Sequence, residues 1–384
     1  MSAGDWLGHF EGAQARLLSD LEALVTRESP SDDAERVSAL GAWIVERLRA
    51  GGVKAETCPC PPRGDAVLAS IGATGGTLLL GHHDTVWPVG SLAESPFRCT
   101  GDRATGPGVF DMKAGIAVAL SVLEAFAARP DPPPVSLLLT PDEEIGTHAS
   151  RPLLLETALR HRQVLVLEPS LDGAAKIARK GTGSFEVRFR GRAAHAGLDP
   201  EKGASALLEL ARFVLHASGL ADVERGTTVV ATLAQGGSKP NVVPESATLT
   251  LDARVWSQDE ARRLEVALQA YRSTDARVAV EVAGGFDRPP LEPSAAASAL
   301  YERARGIAFE LGFELGGARV GGASDGNLTS AAGVATLDGL GPRGDGAHAR
   351  HEFVVLSDLP RRAALLARLV ELAGGRARAQ QPMQ

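Results

Sequence analysis

The chain has 384 residues, 44% hydrophobic and 23% charged, which is ordinary for a folded soluble protein and excludes a disordered one. With 40 Lys and Arg against 47 Asp and Glu the net charge is −7, so there is no basic footprint for nucleic acid. No apolar run approaches the roughly 18–20 residues that span a bilayer. Three cysteines, Cys58, Cys60 and Cys99, make no disulfide framework and fit a reducing compartment. The first nine residues lack the basic and apolar stretches of a secretory signal, so a cytoplasmic protein is expected.

Helical periodicity runs over 6–26, and Ser31-Asp32-Asp33 caps a second helix that Gly51-Gly52 stops near Ala50. Short β-like runs follow at 54–57 and 67–71. Runs 77–80, 135–139 and 163–167 read as buried strands. Helical stretches lie between them, including 113–128, which stops before Pro130. Alternating strands and helices predict an α/β domain with a largely parallel sheet. After about Arg179 the texture changes, and Ser184-Phe-Glu-Val-Arg-Phe-Arg190 alternates strictly. A helix at 202–215, alternating runs at 227–233 and 246–255, a helix at 258–270 and a strand at 277–282 complete a β-α-β-β-α-β, ferredoxin-like unit. Gly284 to Pro290 reads as the return linker. The predicted organisation is a first domain of residues 1–178 and 289–384, interrupted by a smaller one of residues 179–288. The tail from Gly374 is expected to fray.

Ligands of open α/β sheets bind beyond the carboxyl ends of the strands. Leu78-Leu-Leu80 is followed by Gly81-His82-His83-Asp84-Thr85, and Leu137-Leu-Leu139 by Thr140-Pro-Asp142-Glu143-Glu144. Leu165-Val-Leu167 is followed by Glu168, and Val334-Ala-Thr-Leu337 leads through Asp338 to His348. Gly106-Pro-Gly108-Val-Phe-Asp111 precedes the 113–128 helix. Five segments therefore bring two His and at least three carboxylates, without thiolate, to one sheet edge. That mixture suits zinc, with cobalt or manganese as substitutes. A two-metal hydrolytic site needs a bridging carboxylate, and a further carboxylate to take the proton of the attacking water. Glu143 and Glu144 can divide ligation and proton transfer, because neighbouring side chains of extended backbone point apart.

These segments, with Met112-Lys113-Ala114-Gly115, Glu168-Pro169 and Ala347-His348-Ala-Arg-His351-Glu352-Phe353-Val354, resemble the M20 metallopeptidase family, nearest its glutamate carboxypeptidase subgroup. The resemblance runs in order over nearly the whole chain. It implies a zinc-dependent exopeptidase-type catalytic domain carrying an inserted lid or dimerisation domain, two zinc ions per subunit, and a homodimer. It assigns His82 and Glu168 to one zinc, with Asp84 orienting His82, Asp111 bridging both ions, and Glu144 and His348 on the second. Glu143 becomes the general base. His82 rather than His83 fits the family's Gly-His-x-Asp spacing, and His348 rather than His351 stands four residues before Glu352. Ala114 departs from the family, which often has Gly there. In the inserted domain, His195 resembles the family's lid histidine, which reaches the partner subunit's active site and stabilises the oxyanion. Asn241 and Arg254 resemble residues that hold the substrate's terminal carboxylate, and Gly322 and Ser324 resemble a substrate-lining loop.

The function so implied is a di-zinc metallohydrolase that cleaves the amide bond before a C-terminal, glutamate-like residue of a peptide or N-acyl amino acid. Its partners would be that small substrate and a second subunit, with no nucleic acid and no membrane. An N-acyl amino acid deacylase of the acetylornithine deacetylase or aminoacylase type is the alternative. An inactive binding homologue is disfavoured by the intact ligand set. Gly322-Ala-Ser324-Asp-Gly326 matches a nucleophile elbow, but Asp338 and His348 stand too close behind it. His351-Glu352 begins a helical zinc motif, which Val355 breaks. His148, His161 and His216 fall in helical stretches and read as structural or exposed.

Overall fold

Alternation of side chains along the central strands creates two apolar layers. In the computed structural model, which describes residues 1–73 and 75–378, Leu79, Leu137, Leu139 and Leu165 enter one buried cluster. Leu78, Leu80, Leu138, Val164 and Val166 enter another, on the opposite face. Helices Ala3–Gly12, Gln14–Val25, Ala34–Ala50, Ala114–Ala127, Ala295–Glu310 and Leu359–Arg378 supply the first layer. Arg151–Leu159 and Asp325–Ala331 supply the second. Ala114–Ala127 is buried on nearly every face, which explains its almost uninterrupted apolar sequence.

The sheet between these layers has six strands in the order Lys54–Cys58, Ala66–Ile71, Val135–Thr140, Thr77–His82, Gln163–Val166, Ala335–Leu337. The first two pairings are antiparallel and the last three parallel, so His82, Thr140, Val166 and Leu337 end at one edge. A separate four-stranded sheet, Gly344–Asp345, Phe353–Val355, Arg103–Thr105 and Arg98–Thr100, is too short-stranded to show in the sequence pattern. Its Phe353↔Thr105 register sets the chain after His348 beside the chain entering Asp111.

A second compact unit comprises Ala178–Glu292 with Val320–Ala323, and the remainder of the chain forms the first. Strands Gly181–Arg190, Thr228–Gly236, Ser246–Val255 and Ala279–Arg288 and helices Ala206–Ser218 and Gln258–Gln269 follow one another as β-α-β-β-α-β. The sheet is antiparallel, in the order Thr228–Gly236, Ser246–Val255, Gly181–Arg190, Ala279–Arg288. Phe185, Val187 and Phe189 fill the core while Glu186, Arg188 and Arg190 face out.

Some details differ from the sequence reading. The 6–26 helix is two helices that break at Ala13. Gly284 to Arg288 is not linker but the end of the Ala279–Arg288 strand, paired with Gly181–Arg190. His148 and His161 lie just outside helices; His161 is buried between the Thr157 carbonyl and the Ser136 hydroxyl. Helix Leu359–Arg378 continues through Gly374-Gly375, where fraying was expected, and residues 379–384 of that tail lie outside the described residues. Among the described residues, no helix is long and apolar enough to cross a membrane.

Candidate metal centre

His82 ends its strand almost fully buried. Its Nδ1 lies 3.0 Å from the Asp84 carbonyl oxygen and 3.4 Å from Asp84 Oδ1, so Nδ1 carries the donated proton and Nε2 is turned outward as a donor atom. Nε2 lies 3.4 Å from Asp111 Oδ1 and 3.5 Å from Glu168 Oε1. On the other side of Asp111, His348 Nε2 lies 3.4 Å from Oδ2 and 3.1 Å from Glu144 Oε2. The two imidazoles thus address different oxygens of one carboxylate, and each has a further carboxylate of its own. His348 sits in a left-handed backbone conformation, φ 63°, at the tip of its loop.

Asp84, wholly buried, connects these parts. Its Oδ1 accepts the Glu143 N–H at 3.2 Å, and its Oδ2 accepts the Glu144 N–H at 3.3 Å and the Ser31 hydroxyl at 2.7 Å. One carboxylate therefore orients the His82 ring and fixes the turn carrying both glutamates.

The donor set fits a cation. Ligand atoms of His82, Asp111 and Glu144 lie within 4.8 Å of one another, while buried Asp111 Oδ1 and Glu144 Oε1 have no hydrogen-bond partner. Such acceptors are expensive to bury unless a positive group satisfies them. The imidazoles show the same demand. Burial opposes a charged His82, yet Asp111, Asp84 and Glu168 hold its pKa well above 6.5. Hydrogen bonds to Asp111 and Glu144 push His348 to about 10. Burial would raise Asp111, but His348 and His82 hold it far below the usual carboxylate range. His83 is excluded from this cluster: it packs against Gly41, and burial pushes it down to about 4. His351 is exposed, folded over Gly346.

In the second unit, His195 and Asn241 are neighbours. His195 bridges Val242 in antiparallel fashion, and the Ala196 N–H donates to the Asn241 carbonyl at 2.9 Å. The N–H groups of Gly197 and Leu198 both donate to His195 Nδ1, at 3.1 Å each, which places the ring proton on exposed Nε2. Arg254 is half-buried, and its guanidinium forks onto Asp252 at 2.9 and 3.0 Å. The Gly322 carbonyl accepts from Arg179 at 3.2 Å.

Ser324 requires a correction. It lines no surface: it is fully buried, caps helix Asp325–Ala331, and donates to Asp338 Oδ2 at 2.5 Å. The same burial removes it as a nucleophile.

Four residues of the centre carry no assigned role in the sequence reading. Ser31 showed only as a helix cap. Lys176 Nζ stands 3.8 Å from Glu168 Oε2. Asp325 accepts hydroxyl hydrogen bonds from Thr140, at 2.7 Å, and Thr147, and so staples both ends of the segment bearing Glu143 and Glu144. Glu352 was visible only through its offset from His348.

Fold and donor set together describe a metal-dependent hydrolase on a mixed α/β sheet. Residues 78–372 match the model of peptidase family M20/M25/M40, and the chain belongs to that family. It is 33% identical over 379 residues to carboxypeptidase G2 of Pseudomonas sp. (strain RS-16), covering 94% of this chain and 91% of that one. It is 30% identical over 377 residues to N-acetyl-L-citrulline deacetylase of Xanthomonas campestris pv. campestris, covering 93% and 98%. Aminopeptidase PepT from Bacillus cereus ATCC 10987 shares the fold, with a TM-score of 0.81, 21% identity and coverage of 94% and 98%. The chain is a zinc metallohydrolase acting on amide bonds.

Proposed function

We propose that this enzyme uses two zinc ions to release a C-terminal, glutamate-like amino acid from a peptide or N-acyl amino acid. The carrying observation is the placement of His82 and His348 on opposite oxygens of Asp111, each with its own additional carboxylate, Glu168 or Glu144. His82 and Glu168 would hold one ion, His348 and Glu144 the other, with Asp111 shared. Bound zinc supplies Lewis-acid polarisation of the scissile carbonyl and a water that deprotonates near neutral pH.

The chain's own residues do the rest. Asp84 keeps the Nδ1 proton of His82 in place and thereby the direction of Nε2. The Glu143 carboxylate accepts the proton of the attacking water and returns it to the leaving amine. His195 Nε2–H donates to the developing oxyanion, a role that its fixed tautomer supports. Asn241 and Arg254 bind the substrate's free carboxylate, with Gly322 lining the approach. Because Arg254 is already forked onto Asp252, a substrate carboxylate must share or displace that partner, so recognition depends on an exchange of ion pairs. The inserted unit is the lid and dimerisation domain, and the working enzyme is a cytoplasmic homodimer. The similarity to carboxypeptidase G2 supports release of a C-terminal residue, and the similarity to N-acetyl-L-citrulline deacetylase keeps an N-acyl amino acid deacylase as the second reading.

The test is kcat/KM over matched acyl-glutamates, other acyl amino acids and dipeptides, with metal analysis of the same preparation. Two zinc per chain, loss of turnover on chelation and preference for a free α-carboxylate are expected. Equal rates on an acyl-glutamate and its α-amide would refute carboxylate recognition. Full turnover after complete metal removal would refute the metal mechanism.

A further inference from the structure

Glu352 has no part in the chemistry above, yet it is 2% exposed and its carboxylate accepts four hydrogen bonds. Oε1 takes the backbone N–H groups of Phe110, at 2.8 Å, and Asp111, at 3.0 Å. Oε2 takes the Gly108 N–H and the Trp87 Nε1–H, both at 2.9 Å. Three of these donors belong to the segment that ends in Asp111. That segment is tightly seated: a Cβ on Gly108, whose φ is +70°, would lie 2.7 Å from Thr85 Cγ2.

All four groups facing Glu352 are donors, so the position requires a group that only accepts. A glutamine of the same size would turn its NH2 onto two N–H groups. Glu352 is delivered by the strand Phe353–Val355, paired with Arg103–Thr105, and its own N–H donates to the Ala349 carbonyl at 2.9 Å, which closes the turn after His348.

We infer that Glu352 is a positioning residue for the metal centre: its carboxylate locks the backbone of residues 108–111 so that Asp111 faces both His82 and His348, and ties the Asp111 loop to the His348 loop. The inference rests on the metal reading above. Its test is zinc and cobalt affinity of Glu352→Gln by chelator competition, with the visible spectrum of the cobalt-loaded enzyme. Removing the partner that orients a ligand commonly lowers metal affinity 10–100-fold, and a loss of about that size with an altered cobalt spectrum is expected in a chain that remains folded by circular dichroism. If that variant does not fold, Glu352→Asp, which keeps the charge but is too short to reach all three amides, should lose about tenfold. Unchanged affinity and spectrum in a folded variant would overturn the inference and leave the metal centre standing. A wild-type chain that binds neither metal would overturn both.

Discussion

Glu143 and Glu144 differ by one position, and Asp84 holds the backbone N–H of each. Both lie in the 3-10 turn Glu143–Ile145, not on the extended backbone expected from the sequence. Glu144 stands 3.1 Å from His348 Nε2 and shares a cluster of potential ligand atoms with His82 and Asp111. The two should therefore fail in different ways. If Glu143 is the proton acceptor, Glu143→Gln should leave metal content constant while kcat falls by roughly 10²–10⁴ or more. Glu144→Gln should lose metal. Metal analysis beside kcat decides the matter, and equal metal content in both variants would refute the division of roles. The adjacent carboxylates single out this pair in the sequence, whereas only the resemblance to the family's Gly-His-x-Asp spacing separates His82 from His83. Spacing carries no such signal for Ser324, because the Asp338 carboxylate that buries it comes from a different strand end.

At the scale of elements, long periodic segments declare themselves. The Ser246–Val255 strand falls where alternation puts it, and the β-α-β-β-α-β order of the inserted unit follows from period alone. The two- and three-residue strands that carry the chain past His348 are invisible in the sequence, since a period of two needs about four residues to register. Packing distances are equally hidden. Gly115, in the first turn of Ala114–Ala127, has no room for a side chain, because a Cβ there would lie 2.3 Å from the Leu167 carbonyl oxygen. Helix propensity alone would favour Gly115→Ala by up to about 1 kcal/mol. Overpacking against a backbone oxygen works the other way, by about 1–3 kcal/mol, and displaces the strand end that leads to Glu168. Gly115→Ala should lower the urea midpoint without changing the slope of the transition. An equal or higher midpoint would mean that the helix and strand have more freedom than their close approach indicates.

At the scale of the whole molecule, the inserted unit ends in an apolar edge strand whose one guard is a register shift between Ala231 and Leu233. Strand Thr228–Gly236 lies at the end of its sheet and contains no charged residue and no proline, two of the guards of an exposed edge. Val230 is 51% exposed and Leu233 69%, and Leu215 on the adjacent helix Ala206–Ser218 is 76% exposed. An apolar edge strand beside an apolar helix face suits a two-fold contact, in which the same strand and helix meet their own copies. Light scattering should therefore give twice the 39.9 kDa chain mass. Leu233→Lys places a charge on that edge and should yield monomer. If His195 serves the partner's active site, the monomer should keep its metal yet lose roughly 10²–10³ in kcat, the worth of one oxyanion donor. His195→Ala should show the same loss while remaining dimeric. A monomeric Leu233→Lys enzyme with wild-type turnover would disconnect His195 from the partner's site, and a wild-type chain that is monomeric at working concentration would remove the dimer itself.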